Sequence, residues 1–255
     1  MTSSDNNQKT SGVVLMILGA VLVATSLFLY MNNGDKQAVA QSSTPTAPVA
    51  DAQALETTAN TTDEALEKAL APRTLGSDDA PVKIKEYASL SCGHCAHFHT
   101  EILPEFKQKF IDTNQVQLIF SEFPLNNAAL EGAMIARCLP ADQYVDFTGK
   151  LFENIEQWAY QADHMPGLKK IAKDFGMTDK AIDSCLKTAP LREALVARMR
   201  AAAKQWQIGS TPSFLVDNET VITGAQNADA FAPAIEKALN DETSAAKTET
   251  TESAE

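Results

Sequence analysis

Ser91-Cys92-Gly93-His94-Cys95-Ala96 holds two of the chain's four cysteines, with two residues between them. At the start of a helix this spacing brings two sulfurs within bonding reach, the first exposed and the second turned inward, which is what a dithiol redox centre needs. A thiol at a helix N-terminus faces unpaired backbone N–H groups and the positive end of the helix dipole, so its anion is favoured. Cys92 is therefore the expected attacking thiol and Cys95 the expected resolving thiol. His94, in the same first turn, can add positive charge or a hydrogen bond to the Cys92 thiolate. Other chemistries share the spacing. Zinc would need further ligands: positions 92, 95 and 99 could share a helix face, but His97 turns away and no second Cys-x-x-Cys follows. Haem attachment requires a histidine after the second cysteine, and Ala96 stands there. No metal or organic cofactor is expected, and His97 and His99 read as polar decoration of the helix.

The elements that must position the pair follow from periodicity. Pro81 to Ala88 alternates apolar and polar residues and predicts a strand, with Glu86 on the face of Val82 and Ile84. Burial opposes the charged form of an acid placed there. Glu86 reads as a proton acceptor for Cys95, the alternative being an ion pair with Lys83 or Lys85 at the strand edge. Phe98, Ile102, Phe106 and Phe110 recur every four residues as the apolar stripe of a helix, which Pro104 is expected to kink. Gln115 to Phe123 predicts a second strand and completes a βαβ unit. Helical patterns then run through 127–205, at Ala129 to Cys138, Tyr144 to Glu153, Gly167 to Phe175 and Ala189 to Lys204. After turn chemistry at Ile208 to Pro212, Ser213 to Val216 and Val221 to Thr223 predict a hairpin, and Asp229 to Leu239 a last helix. The fold class is α/β: a βαβ and ββα core over 73–126 and 206–240, with an all-helical insertion at 127–205. Cys138 and Cys185 fall in that insertion, 47 positions apart. Bonded, they would close a loop worth about 4 kcal/mol in the chain-entropy description; two separate buried thiols are the other possibility.

A formal net charge of -12 and a pI near 4.8, without clustered Lys and Arg, exclude nucleic acid as a partner. Five acids and one lysine among Thr, Ser and Ala make 241–255 a disordered acidic tail by composition. Residues 12–31 carry no charge and are rich in Val, Leu, Ile and Ala; as a helix they would span roughly 30 Å, so they read as a transmembrane anchor or a signal segment, after a cytoplasmic stretch at 1–11. Ala38-Val39-Ala40 has the form of a signal-peptidase site, but the apolar run is long for a signal and Asp35 and Lys36 intervene, which favours an uncleaved anchor. Residues 32–72 read as a flexible linker, with a short amphipathic helix at 63–70 that packs on the domain, stays loose, or mediates oligomerisation. An even number of cysteines after an export-type segment suits an oxidising compartment.

The segment Leu75 to Ala96, with Ala80-Pro81-Val82, Glu86-Tyr87-Ala88-Ser89-Leu90 and Cys92-Gly93-His94-Cys95, resembles the DsbA-like thiol:disulfide oxidoreductases, especially the membrane-anchored alphaproteobacterial forms. Phe120-Ser121-Glu122-Phe123-Pro124-Leu125, Thr211-Pro212-Ser213-Phe214 and Ile222-Thr223-Gly224-Ala225 extend the resemblance, which covers Arg73 to Leu239. It implies a thioredoxin fold with an inserted helical domain. It also implies a cis bond at Thr211-Pro212 that sets the Thr211 backbone beside Cys92, ready to pair with an extended substrate, and a second disulfide between Cys138 and Cys185. The implied activity is oxidation of unfolded exported proteins with free thiols. The domain would work in the periplasm, tethered by a single pass to the bacterial inner membrane, and a DsbB-like membrane quinone oxidoreductase would reoxidise it. Two departures stand out: Gly-His lies between the cysteines where relatives often have Pro-His, and Ser121 stands where many carry a basic residue. Two other functions fit the same residues: a disulfide isomerase or reductase kept reduced, and a chaperone or binding module without turnover.

Overall fold

The computed structural model describes the backbone of residues 63–252. The segments 1–11 and 12–31, and the linker before residue 63, lie outside the described residues. Among the described residues no helix is long and apolar enough to cross a membrane.

Five strands form one sheet in the order β1-β3-β2-β4-β5. They are β1 (Arg73–Leu75), β2 (Val82–Ala88), β3 (Val116–Glu122), β4 (Ser213–Val216) and β5 (Thr220–Thr223). β2 and β3 are parallel, joined by the expected helical crossover, and the other pairs are antiparallel. The three-residue β1 escaped the sequence reading because Arg-Thr-Leu is too short to alternate. Gly76 follows it at φ +105°, where a Cβ would lie 2.8 Å from the Val116 carbonyl oxygen, so only glycine turns the chain there. The β4–β5 hairpin turns through Asp217 and Asn218, both at positive φ, the twist that tight hairpins require.

Helix α1 spans residues 63–70, and α2 begins at Gly93–His97. Past His97 the helix continues without a break to Ile111, as wide π turns at Phe98–Ile102 and Lys107–Ile111 on either side of an α turn at Leu103–Phe106. This is where the expected kink at Pro104 is resolved. Proline has no N–H to give to the preceding turn, and the turn widens so that the Leu103 N–H reaches back to Phe98 O instead. The insertion contains α3 (Asn127–Cys138), α4 (Tyr144–Glu153), α5 (Ile155–Trp158), α6 (Met165–Asp174), α7 (Asp179–Leu186) and α8 (Ala189–Gln205). The described residues end on α9 (Ala232–Glu252).

The sheet is covered on both faces. Phe98 packs 4.6 Å from Phe214 of β4 and 6.3 Å from Phe231, ring to ring, so the 93–111 helix and the start of the C-terminal helix share one face. On the other, Tyr87, Leu215, Phe123 and Ile208 meet Met199, Ala202 and Trp206 of α8 and its end. The insertion surrounds the buried Trp158, whose indole N–H donates to Leu151 O at 2.8 Å.

The amphipathic stretch at 63–70 is helical and packs on the domain. Leu66, Ala69 and Leu70 pack on the core, and the last carbonyls of α1, which have no helical donors, are capped by arginines. Arg137 Nη1 donates to Ala69 O and Ala71 O at 3.3 and 2.6 Å, and Arg198 Nη1 to Leu70 O at 2.8 Å. The helix α9 runs through Glu252.

Arg137 is 2 % exposed at its side chain and Glu122 7 %; Arg137 bonds both carboxylate oxygens, and the Tyr144 hydroxyl donates to Oε1 at 2.8 Å. Removing one partner strands the other charge in the interior. Arg137→Ala should lower unfolding stability by about 3–5 kcal/mol, read as a fall in the urea midpoint.

Candidate active site

β2 ends at Ala88, the chain turns through Ser89 to Ser91, and the Cys92 N–H donates to Ser89 O at 3.0 Å. Cys92 is the N-cap of α2, with its sulfur accepting from the Cys95 N–H at 3.4 Å. Both cysteines are free thiols, Cys92 partly exposed and Cys95 fully buried. One helical turn and the packing of Phe98 beneath it produce that difference.

The Cys92 thiol is pushed down from 9.0 to about 5. The largest cause is a hydrogen bond from the Cys95 thiol; Thr211 and the backbone N–H groups of Cys95 and His94 add to it, against the opposing effect of partial burial. Cys95 moves the other way. Burial, its bond to Cys92 and the Cys92 charge raise its pKa far above the ordinary thiol value. One sulfur is thus a ready thiolate and leaving group, and the other holds its proton. His94 contributes through its backbone, and its ring is exposed.

Thr211-Pro212 is a cis peptide. It sets Thr211 O 3.3 Å from the Cys92 sulfur, with Thr211 two residues before the β4 ladder begins at Ser213. The Thr211 hydroxyl is buried without a hydrogen-bond partner of ordinary geometry. Thr211 and Pro212 lie 119 and 120 positions after Cys92 in sequence, and the fold brings them against it.

Glu86 is fully buried. Neither Lys83 nor Lys85 pairs with it: Lys83 Nζ donates to Asp78 O and Lys85 Nζ to Asn218 Oδ1, both toward solvent. Its partner is His99, whose Nε2 lies 2.9 Å from Glu86 Oε1, while Glu86 Oε2 has no partner. His99 is accordingly no surface decoration. Its side chain is 5 % exposed and stacks on Phe152 of α4 at 4.2 Å. Its spacing was the available signal: His99 stands one helical turn after the buried Cys95, on the same face, where it meets the inward-facing acid of β2. His97 remains exposed. His164 precedes α6 and its Nε2 lies 2.7 Å from Glu131 Oε2.

Cys138 and Cys185 are joined, tying α3 to α7. Among the described residues no group of three His, Cys, Asp or Glu is placed to hold a metal ion.

The insertion also reaches the site through Tyr160, which no sequence pattern marked. A Cβ on Gly93 would lie 2.8 Å from the Tyr160 hydroxyl, so the small residue between the cysteines fits the tyrosine above it. Tyr160 is 54 % exposed, and burial together with the neighbouring Cys92 charge raises its pKa.

Two outcomes follow from this geometry. The Cys92 thiol titrates near 9.0 in an unfolded chain and near 5 in the folded one, so the folded dithiol binds fewer protons between those values. Its stability relative to Cys92→Ser should therefore rise with pH across that window and be lost as pH falls toward 5, with ultraviolet thiolate absorbance titrating at the lower value. In a double-mutant cycle of Gly93→Ala and Tyr160→Phe, the equilibrium with glutathione should show a coupling of about 0.5 kcal/mol or more, because the two residues share one space.

The family model described as Thioredoxin matches residues 68–237. A Rickettsia felis protein is 32 % identical over 176 residues, covering 69 % of this chain; the chain spans 63 % of that relative's length. Disulfide bond formation protein D of Bacillus subtilis is 29 % identical over 178 residues, covering 65 % of this chain and 76 % of its own. Among solved structures, Wolbachia pipientis alpha-DsbA1 superposes with a TM-score of 0.62 at 27 % identity, covering 68 % of this chain and 94 % of that one. Oxidised BdbD from Bacillus subtilis gives 0.54 at 26 % identity, covering 66 % and 93 %. With its cysteine pair at the head of the crossover helix, a cis proline facing it and helices inserted between β3 and β4, the chain belongs to the thioredoxin family, in the DsbA-like form.

Proposed function

We propose that this protein is a thiol-disulfide oxidase that introduces disulfides into exported proteins through Cys92 and Cys95. The observation that carries the reading is the opposite displacement of the two thiols: a Cys92 thiolate stable at neutral pH beside a buried, protonated Cys95. Stabilising the reduced form makes the disulfide a stronger oxidant. In the cycle, a substrate thiolate attacks the Cys92 sulfur of the oxidised pair, and the S–S electrons pass to Cys95, which takes up a proton. A second substrate thiolate then forms the substrate disulfide and expels Cys92 as thiolate. The substrate loses two electrons and two protons; the protein gains two electrons and keeps one proton, on Cys95. Thr211 and Pro212 receive the substrate as extended main chain, which makes recognition tolerant of side chains. Glu86 exchanges the proton with Cys95. The names of the Bacillus subtilis and Wolbachia pipientis relatives support this chemistry.

The same reading takes residues 12–31 as an inner-membrane anchor with the catalytic domain in the periplasm, and a DsbB-like quinone oxidoreductase as the reoxidant. Leu66, Ala69 and Leu70 pack on the core, so the apolar side of α1, the stretch that could have mediated oligomerisation, is already engaged. Mixed in its oxidised form with a dithiol peptide, the soluble domain should form the peptide disulfide, and Cys92→Ser should abolish the reaction. Alkylation trapping in cells should find the pair mostly oxidised; a mostly reduced pair would sink the oxidase assignment.

A further inference from the structure

Cys95 must gain a proton in one half of the cycle and lose it in the other, yet its side chain has no access to solvent. Glu86, equally buried, is bonded only to His99. The His99 ring, held flat between Phe152 at 4.2 Å and Phe120 at 6.0 Å, lines a cavity of about 20 Å3. That volume exceeds the roughly 10–15 Å3 one water needs, and such a water needs polar partners. Ser121, Glu122 and Tyr144 stand in the same wall. Phe120, Ser121 and Glu122 also line a cleft of about 410 Å3 that opens beside Arg137 and Arg198. The sheet leaves this way open: β1 pairs with β3 only as far as Phe120, so Ser121 and Glu122 have no strand on that side.

We propose that the proton exchanged at Cys95 travels through Glu86 and His99 to a water in this cavity, and reaches solvent past Ser121 and Glu122 at the open sheet edge. The inference rests on the proton-exchange reading of Glu86 and adds its route to bulk. An imidazole can accept a proton at one nitrogen and release one at the other, which suits it to link a buried carboxyl to water. The titratable and charged groups around it are Cys95 on its own helix, Glu86 on β2, Glu122 on β3, Tyr144 on α4 and, through Glu122, Arg137 on α3. Tyr144 donates to Glu122 and Arg137 binds both its oxygens, so Glu122 is a fixed wall of the route, and the water is the mobile carrier. His99 acts through Glu86 and does not touch the reacting sulfurs.

The test is rapid mixing of the full oxidised protein with a dithiol peptide across neutral pH, with acid quench and mass analysis of Cys95. His99→Gln keeps a hydrogen bond to Glu86 without relaying a proton, and Ser121→Val, on the Tyr87 side of the strand, narrows the exit into the cleft without touching the Glu86–His99 pair. Each should slow disulfide reduction roughly tenfold or more and change its pH profile. The Cys92 thiolate titration should stay near 5, which a general distortion of the site would not leave in place. Native rates and profiles in both variants overturn the route. If Glu86→Gln alone is slow, the route fails while the Glu86 reading stands; if Glu86→Gln runs at the native rate, both fail. Should His99→Gln not fold, Ser121→Val decides alone.

Discussion

A thiol with no exposure, one helical turn behind a thiol with some, is the constraint from which the chemistry of this molecule follows. Cys92 at the N-cap collects donors from Cys95 and from the backbone, and burial falls mainly on Cys95. The helix cannot rotate to even out that division, because Phe98, Phe106, Phe214 and Phe231 interlock on the far side of the same turn. Aromatic packing of this kind fixes orientation as well as adding buried area. The core thus raises the Cys95 thiol by burial, while hydrogen bonds to the Cys92 sulfur lower that one against its own partial burial.

The helical insertion is more than a lid hung on a thioredoxin core. Its α3 and α4 supply Arg137 and Tyr144 to the buried charge of Glu122, and α4 supplies Phe152 to the ring of His99. The disulfide ties α3, which carries Arg137, to α7. A buried ion pair is poor evidence of stability in itself, but its requirement for both partners makes the register of the insertion against β3 difficult to change.

Much of this was legible in the residues. β2, β3 and the hairpin follow from period-two alternation and turn chemistry, and Glu86 was marked by being an acid among Val82 and Ile84. The identity of its partner was not legible from the strand alone: Lys83 and Lys85 stand nearer in sequence but bond at the surface, and His99 comes from the crossover helix. β1 was too short for any periodic signal. The α1 helix was visible as a pattern, but its attachment depends on Arg73 just past its end and on Arg137 and Arg198 from distant places, which cap its carbonyls. Tyr160 sits between α5 and α6 with no pattern of its own, and only the folded insertion brings it over the cysteines.

That last contact bears on how the dipeptide between redox cysteines is understood. Gly93 is commonly treated as one half of a self-contained setting, to be exchanged between proteins at will. Here the space above it is owned by a residue from another part of the chain. The dipeptide and the insertion loop thus share one space. A dipeptide moved into this protein from a relative would report on its fit to Tyr160 as much as on its own preference for the reduced or oxidised state, and a chimera that exchanged the insertion alone would retune the cysteines without altering a residue of their motif.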